Sequence, residues 1–301
     1  MAKQNRTKTN EIVIPPGTKE IRDYAFNERD KMTSVVIPDS VTEIGECAFA
    51  GCTGLTSVVI PNSVTKIRRG AFSSCSSLTS VVIPDGVKEI GRGAFAGCTG
   101  LTSIVIPGNV KEIGYEAFSG CTGLTSIVIP GNVKGIGALA FSRCTGLTSI
   151  EIPDDVKEIG PGAFAKCTGL TSVVIPKKVQ AIKLETFKDC TGLTSIVIPG
   201  NVKFIGSDAF AKCTGLTSVV IQKGVTSIES GAFAKCTGLT SVVFQNGGDG
   251  KPRMLEIRNY AFDGCTGLAE VEIPPNTQVA PDAFCLSTKR RGKNNGDQKC
   301  E

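Results

Sequence analysis

The chain has 301 residues, 41% of them hydrophobic and 20% charged, with a formal net charge of +5. That balance excludes a disordered or membrane-embedded chain and is too weakly basic for the dense cationic footprint of a nucleic-acid binder. There is no His and no Trp, which excludes Ser-His-Asp and Cys-His relays and imidazole metal ligands, and removes one common interface anchor.

Residues 1–11 (MAKQNRTKTNE) are polar and basic. They predict a disordered N-terminal segment without the apolar core of a signal peptide. No apolar run reaches the ~18 residues of a membrane span. As written, the sequence predicts a cytoplasmic protein, with the cell surface as the alternative if the N-terminus is incomplete.

From residue 12 to 286 the chain repeats. Phe26, Phe49, Phe72, Phe95, Phe118, Phe141, Phe164, Phe187, Phe210 and Phe233 are each 23 residues apart, and Phe262 and Phe284 follow after 29 and 22. The consensus is AFxxCTGLTSVVIPxxVxxIGxx, and each position has a physical reading. Val58-Val59-Ile60 is a β-branched run suited to a short strand, whose alternation turns Val58 and Ile60 to one face and Ser57 and Val59 to the other. Pro61, without an N–H, closes that strand. A second, shorter extended segment is predicted at Ile67, and Ala71-Phe72 is predicted to sit in a single helical turn. Gly54 is assigned a positive φ in the turn into the strand. A 23-residue coil has no room for a long helix, and one coil cannot bury its own Leu, Ile, Val and Phe. Stacking about 12 such coils into a solenoid builds a continuous core.

Two segments break the period. Residues 245–254 carry six extra positions rich in Gly, Asn and Pro, which predict a protruding loop. Residues 287–301, with the cluster Lys289-Arg290-Arg291-Gly292-Lys293, predict a disordered basic tail. Ten of the 13 Cys, from Cys52 to Cys265, share the repeat column. Neighbouring thiols would point the same way with two equivalent neighbours each, so a reduced, buried ladder is expected rather than disulfides or zinc. Cys47, Cys285 and Cys300 lie outside it, and Cys300 is the candidate for an exposed thiol.

This AFxxC segment, with its strand and following Pro, resembles the leucine-rich repeat of the BspA-like or Treponema pallidum class. The resemblance covers about residues 12–285. It implies a right-handed, curved coil stack with a parallel β-sheet on its concave face, and interaction or adhesion roles.

The outward columns of that sheet are the candidate interaction face: Ser57 and Val59, Ser80 and Val82, Ser103 and Val105, Ser126 and Val128, Ser149 and Glu151, Ser172 and Val174, Ser195 and Val197, and Ser218 and Val220. A valine stripe facing solvent would form a long apolar groove for an extended ligand or for self-association. Glu151 interrupts it as a gatekeeper. A second candidate is a basic patch of Arg143, Lys166, Lys177, Lys178, Lys212 and Lys235, suited to acidic protein, phosphate or polysaccharide. The chain lacks a P-loop, a Rossmann fingerprint and a singular carboxylate pair. It is therefore expected to be no enzyme and to need no cofactor or metal. The expected function is a scaffold binding a protein or other extended ligand through the concave face, and the alternative is a BspA-like surface adhesin or structural surface protein.

Overall fold

The computed structural model describes residues 10–245, 254–286 and 290–291. Each coil has two short strands on different faces of a solenoid. The longer strand is the Ser-Val-Val segment, as in Ser57–Val59 and Ser80–Val82, and the shorter is a pair such as Lys66–Ile67 and Glu89–Ile90. Every pairing is parallel and advances one coil, so that Ser57 faces Ser80, Val58 faces Val81 and Val59 faces Val82. The register is forced: a one-residue slip would turn Val58 and Val81, both 4% exposed, out to solvent.

The long-strand face runs unbroken from Glu11–Val13 to Ser126–Val128. It then narrows to a single bridge between Val128 and Glu151. Beyond that, Ser149–Ile150 pairs with Ser172–Val173, and Ser195–Ile198, Ser218–Ile221 and Ser241–Phe244 form a three-stranded group. The short-strand face runs from Glu20–Ile21 to Glu158–Ile159, and resumes from Ala181–Ile182 to Thr277–Val279.

One hydrophobic cluster fills the space between the faces. Twelve Phe rings, from Phe26 to Phe284, stack with centroids 4.9–5.6 Å apart and planes within 11° of parallel. That is the offset-stacked range for aromatic pairs. The column cysteines are free and buried. Each donates its thiol to the carbonyl of a Phe in the preceding coil, as from Cys144 to Phe118 at 3.2 Å and from Cys167 to Phe141 at 3.1 Å. The thiol is a second donor to that carbonyl, which already accepts the backbone amide three residues on, as Phe118 does from Cys121 at 3.2 Å. Cys47 is half-buried and Cys285 is disulfide-bonded. Cys300 lies outside the described residues.

The structure corrects two local readings. Ala71-Phe72 does not form a helical turn. Ala71 and Ser73 donate to the carbonyls three residues back, on Arg68 and Gly70, while Gly70, Phe72 and Ser74 donate to Arg92, Ala94 and Ala96 of the next coil. Alternate amides are therefore committed between coils, and a helix would need them all within the segment. Gly70 and Ser74, at φ +59° in both cases, supply the left-handed positions that these successive turns require. Among the described residues the only helical element is the 3₁₀ turn Pro281–Phe284.

Gly54 is needed for closeness, not for a positive φ. A Cβ there would lie 2.3 Å from the carbonyl oxygen of Asp30 in the preceding coil. The same holds at Gly123, whose Cβ would meet the Thr99 oxygen at 2.5 Å while its amide donates to that oxygen at 3.0 Å. Gly123→Ala must push two coils apart and is expected to cost about 1–3 kcal/mol by overpacking. Gly131→Ala, where a Cβ meets nothing within 4 Å, is the matched control. Urea midpoints would check the pair, and equal midpoints would show that coil contact is not what requires glycine.

The ends differ slightly from expectation. The first strand begins at Glu11, inside the segment expected to be disordered. In the tail, Arg290–Arg291 pairs in parallel with Val271–Glu272, and residues 287–289 and 292–301 lie outside the described residues. The predicted loop at 245–254 joins Ser241–Phe244 on one face to Leu255–Ile257 on the other, with 246–253 outside the described residues.

Candidate interaction faces

Alternation places the Ser and Val columns as the sequence reading expects. Val59 is 77% exposed, Val82 68%, Val105 63%, Val128 66%, Val174 77% and Val197 52%. Val220 is half-buried. Ser57, Ser80, Ser103, Ser126, Ser149, Ser172 and Ser195 are exposed beside them and Ser218 is half-buried. Val13, Val36 and Val243 extend the same exposed column toward both ends. Glu151 is exposed within it, where the strand shortens to Ser149–Ile150.

Sequence reasoning missed the adjacent threonine column. Thr56, Thr79, Thr102 and Thr125 each donate Oγ1 to the carbonyl of the threonine one coil earlier, at 3.2–3.4 Å. Backbone amides of the same residues donate to the same carbonyls at 3.1–3.2 Å. These bonds pin the edge of the long-strand face, coil against coil. The signal was legible, since Thr recurs before Ser in ten coils from Thr33 to Thr240.

The expected basic patch does not hold together. Lys177 pairs with Asp154 at 2.8 Å, and Lys178 pairs with Asp155, which also receives Lys134 at 2.8 Å. The hydrogen bonds from Lys134 and Lys178 bring the Asp155 carboxyl down to about 2, and the Lys177 hydrogen bond lowers Asp154. Both acids stay ionised at neutral pH and offset two of the three lysine charges at this corner. They sit 23 residues before Lys177 and Lys178, a spacing that the repeat itself makes contiguous.

Arg143, Lys166, Lys212 and Lys235 lie elsewhere, in the turn that follows each Phe. All four are exposed, with φ between +60° and +63°, in the column occupied by Gly51, Gly97, Gly120 and Gly264 in other coils. A left-handed conformation costs a non-glycine residue roughly 1–2 kcal/mol. Among the described residues none of the four has an ion pair. Asp189, at φ +59°, occupies the same column between them.

Among the described residues, no group of three or more His, Cys, Asp or Glu could hold a metal ion. Among them, too, no helix is long and apolar enough to cross a membrane.

The comparisons with known proteins agree with this architecture. The profile of the BspA type leucine rich repeat region matches in six copies, over residues 4–124, 88–217, 134–249 and 251–289. A leucine-rich repeat protein from Bacteroides ovatus is 30% identical with a TM-score of 0.77, the match covering 93% of this chain and 74% of that one. One from Eubacterium ventriosum is 22% identical with a TM-score of 0.55, covering 92% and 90% of the two chains, and shares the fold. The T. pallidum leucine rich repeat protein is 31% identical over 55% of this chain and 69% of its own, with a TM-score of 0.40. No match was found among curated protein sequences. A family match that spans most of the chain, with a leucine-rich repeat protein 30% identical over 93% of it, makes the chain a member of the BspA-type leucine-rich-repeat family.

Proposed function

We propose that this chain is a non-catalytic scaffold that binds an extended protein segment along its long-strand face. The observation that carries the reading is the valine column, 46–77% exposed from Val13 to Val243 apart from Glu151 and the half-buried Val220. Scattered exposed apolar side chains need no explanation, but a contiguous stripe spanning the stack is the kind of surface that marks an interaction site. The flanking Ser hydroxyls can donate to or accept from the backbone of an extended segment, while the valines bury its apolar side chains. A uniform face suits a ligand whose own chemistry repeats along its length.

The test replaces Val82, Val105 and Val128 with Lys together. These side chains project from the sheet and touch no core, so the melting temperature should fall by no more than a few degrees. Capture of the partner bound by the parent chain should weaken at least tenfold, since the new charges must be desolvated on binding. Undiminished capture would place the contact elsewhere. Sedimentation velocity on the same two proteins tells whether the occupant is a second copy, and surface labelling of intact source cells tells whether the face serves an adhesin.

A further inference from the structure

We propose that the turn column through Arg143, Lys166, Lys212 and Lys235 is a second binding site, separate from the valine face, for a linear anionic polysaccharide. The four cations occupy one repeat position, so the fold aligns them along the solenoid. Each coil step between Phe141 and Phe233 measures 5.1–5.5 Å by its rings. Arg143 and Lys166 are thus one step apart, as are Lys212 and Lys235, and Asp189 stands in the coil between the two pairs.

Three observations separate this ridge from an ordinary solvated surface. The first is pairing. Lys134, Lys177, Lys178, Lys183 and Lys188 are all held by carboxylates, whereas the four ridge cations have no ion pair among the described residues. Lys157 and Lys203, also without one there, belong to a different column, just before the short strands Glu158–Ile159 and Phe204–Ile205. Lys188, beside Asp189, is fully engaged by Glu185 at 2.7 Å and Asp208 at 2.9 Å. The second is backbone cost, because each cation sits at a positive φ where glycine would be unstrained. The third is distribution along the stack. In the same column the earlier coils carry Glu28, Gly51, Ser74, Gly97 and Gly120, and the cations begin at Arg143.

The neighbouring side chains select the ligand. Thr145, Thr168, Thr214 and Thr237 are exposed two residues beyond the four cations and supply hydroxyls for sugar and anion oxygens. The exposed aromatics Tyr24, Phe204 and Tyr260 belong to other columns, so the ridge has no stacking platform for the bases of a single-stranded nucleic acid. A sulfated or uronate chain, with charged groups repeating at about the length of a sugar ring, presents anions on the scale of the coil step and hydroxyls between them.

The experiment measures binding of size-defined heparin fragments and of oligogalacturonate to the full chain across a salt series. Sulfate and carboxylate ligands are thereby distinguished. Binding of either should weaken steeply with salt. The variant with Arg143, Lys166, Lys212 and Lys235 all changed to Gly should bind at least tenfold more weakly, with a melting temperature equal to or above the parent's. Asp189→Gly, which removes the one negative charge within the ridge, should bind severalfold more tightly. The Val82, Val105 and Val128 to Lys variant should still bind, so failure of the valine-face reading leaves this one standing. Absence of binding to both saccharides, preference for oligothymidylate over both, or full binding by the glycine variant would each overturn the proposal.

Discussion

Phe141→Ala is expected to cost about 3–5 kcal/mol and to divide the unfolding of the solenoid into two transitions. The ring is completely buried and stacks on Phe118 and Phe164 at 5.5 Å on either side. Its backbone is equally committed: the amide donates to Ala163 at 2.8 Å and the carbonyl accepts the Cys167 thiol at 3.1 Å. Removing the ring opens a cavity that the neighbouring coils cannot close, because their own rings are fixed by the coils beyond. In a stack stabilised by nearest-neighbour contacts, one weak interface in the middle uncouples the halves. This one adjoins the place where the long-strand ladder is already reduced to the bridge between Val128 and Glu151. Urea unfolding followed by circular dichroism should become biphasic. Hydrogen exchange should show the coils on one side of Phe141 opening before those on the other. Phe284→Ala, at the end of the ring stack, should shift the midpoint without dividing the transition. Two single transitions of equal shift would mean that the coils do not act through their immediate neighbours.

How much of this was legible in the sequence follows from what each column does. Phe141, Cys144 and Leu147 are chosen by contact with the equivalent residues one coil away, so a period of 23 states their role directly. The exposed valines were legible for the related reason that strand alternation is a strict period of two. The misreadings have a common origin, because they concern backbone groups whose partners lie in the next coil. Gly54 and Gly123 look like turn glycines until the carbonyl pressing on them from the preceding coil is seen. Ala71-Phe72 looks helical until alternate amides are found donating across coils. Part of the basic patch was misjudged for the same reason: Lys177 and Lys178 are adjacent in sequence to nothing acidic, yet Asp154 and Asp155 lie one repeat earlier and therefore beside them. A residue's true neighbours in this fold are those at plus and minus 23.

The thiol ladder is expected to make the fold sensitive to alkali. Burial pushes the thiols of Cys98, Cys121, Cys167 and Cys190 well above their ordinary range, and that of Cys144 up to about 12. For Cys236 and Cys265 the leading cause is the hydrogen-bonding interaction of their own S–H with the neighbouring sulfur, Cys213 and Cys236 respectively, with burial adding to it. An unfolded thiol titrates near 8.5. Between that value and the raised folded one, the native state holds protons that the unfolded state has released, so stability is intact below about pH 8.5 and falls as pH rises. Each such thiol approaches a loss of about 1.4 kcal/mol per pH unit. Several acting together would exhaust the roughly 5–15 kcal/mol of a typical domain within one to two units. Circular dichroism should therefore show cooperative unfolding near pH 10–11, with thiolate absorbance rising in step with it. At pH 7.5 a thiol reagent should modify half-buried Cys47 well before any column cysteine. Replacing both Cys144 and Cys167 with Ala should lower stability at neutral pH, through the lost packing and thiol hydrogen bonds, yet raise the pH of alkaline unfolding. A chain that keeps its fold while its thiols titrate near pH 9 would show that the ladder is open to water, and the continuous core between the two strand faces would have to be redrawn.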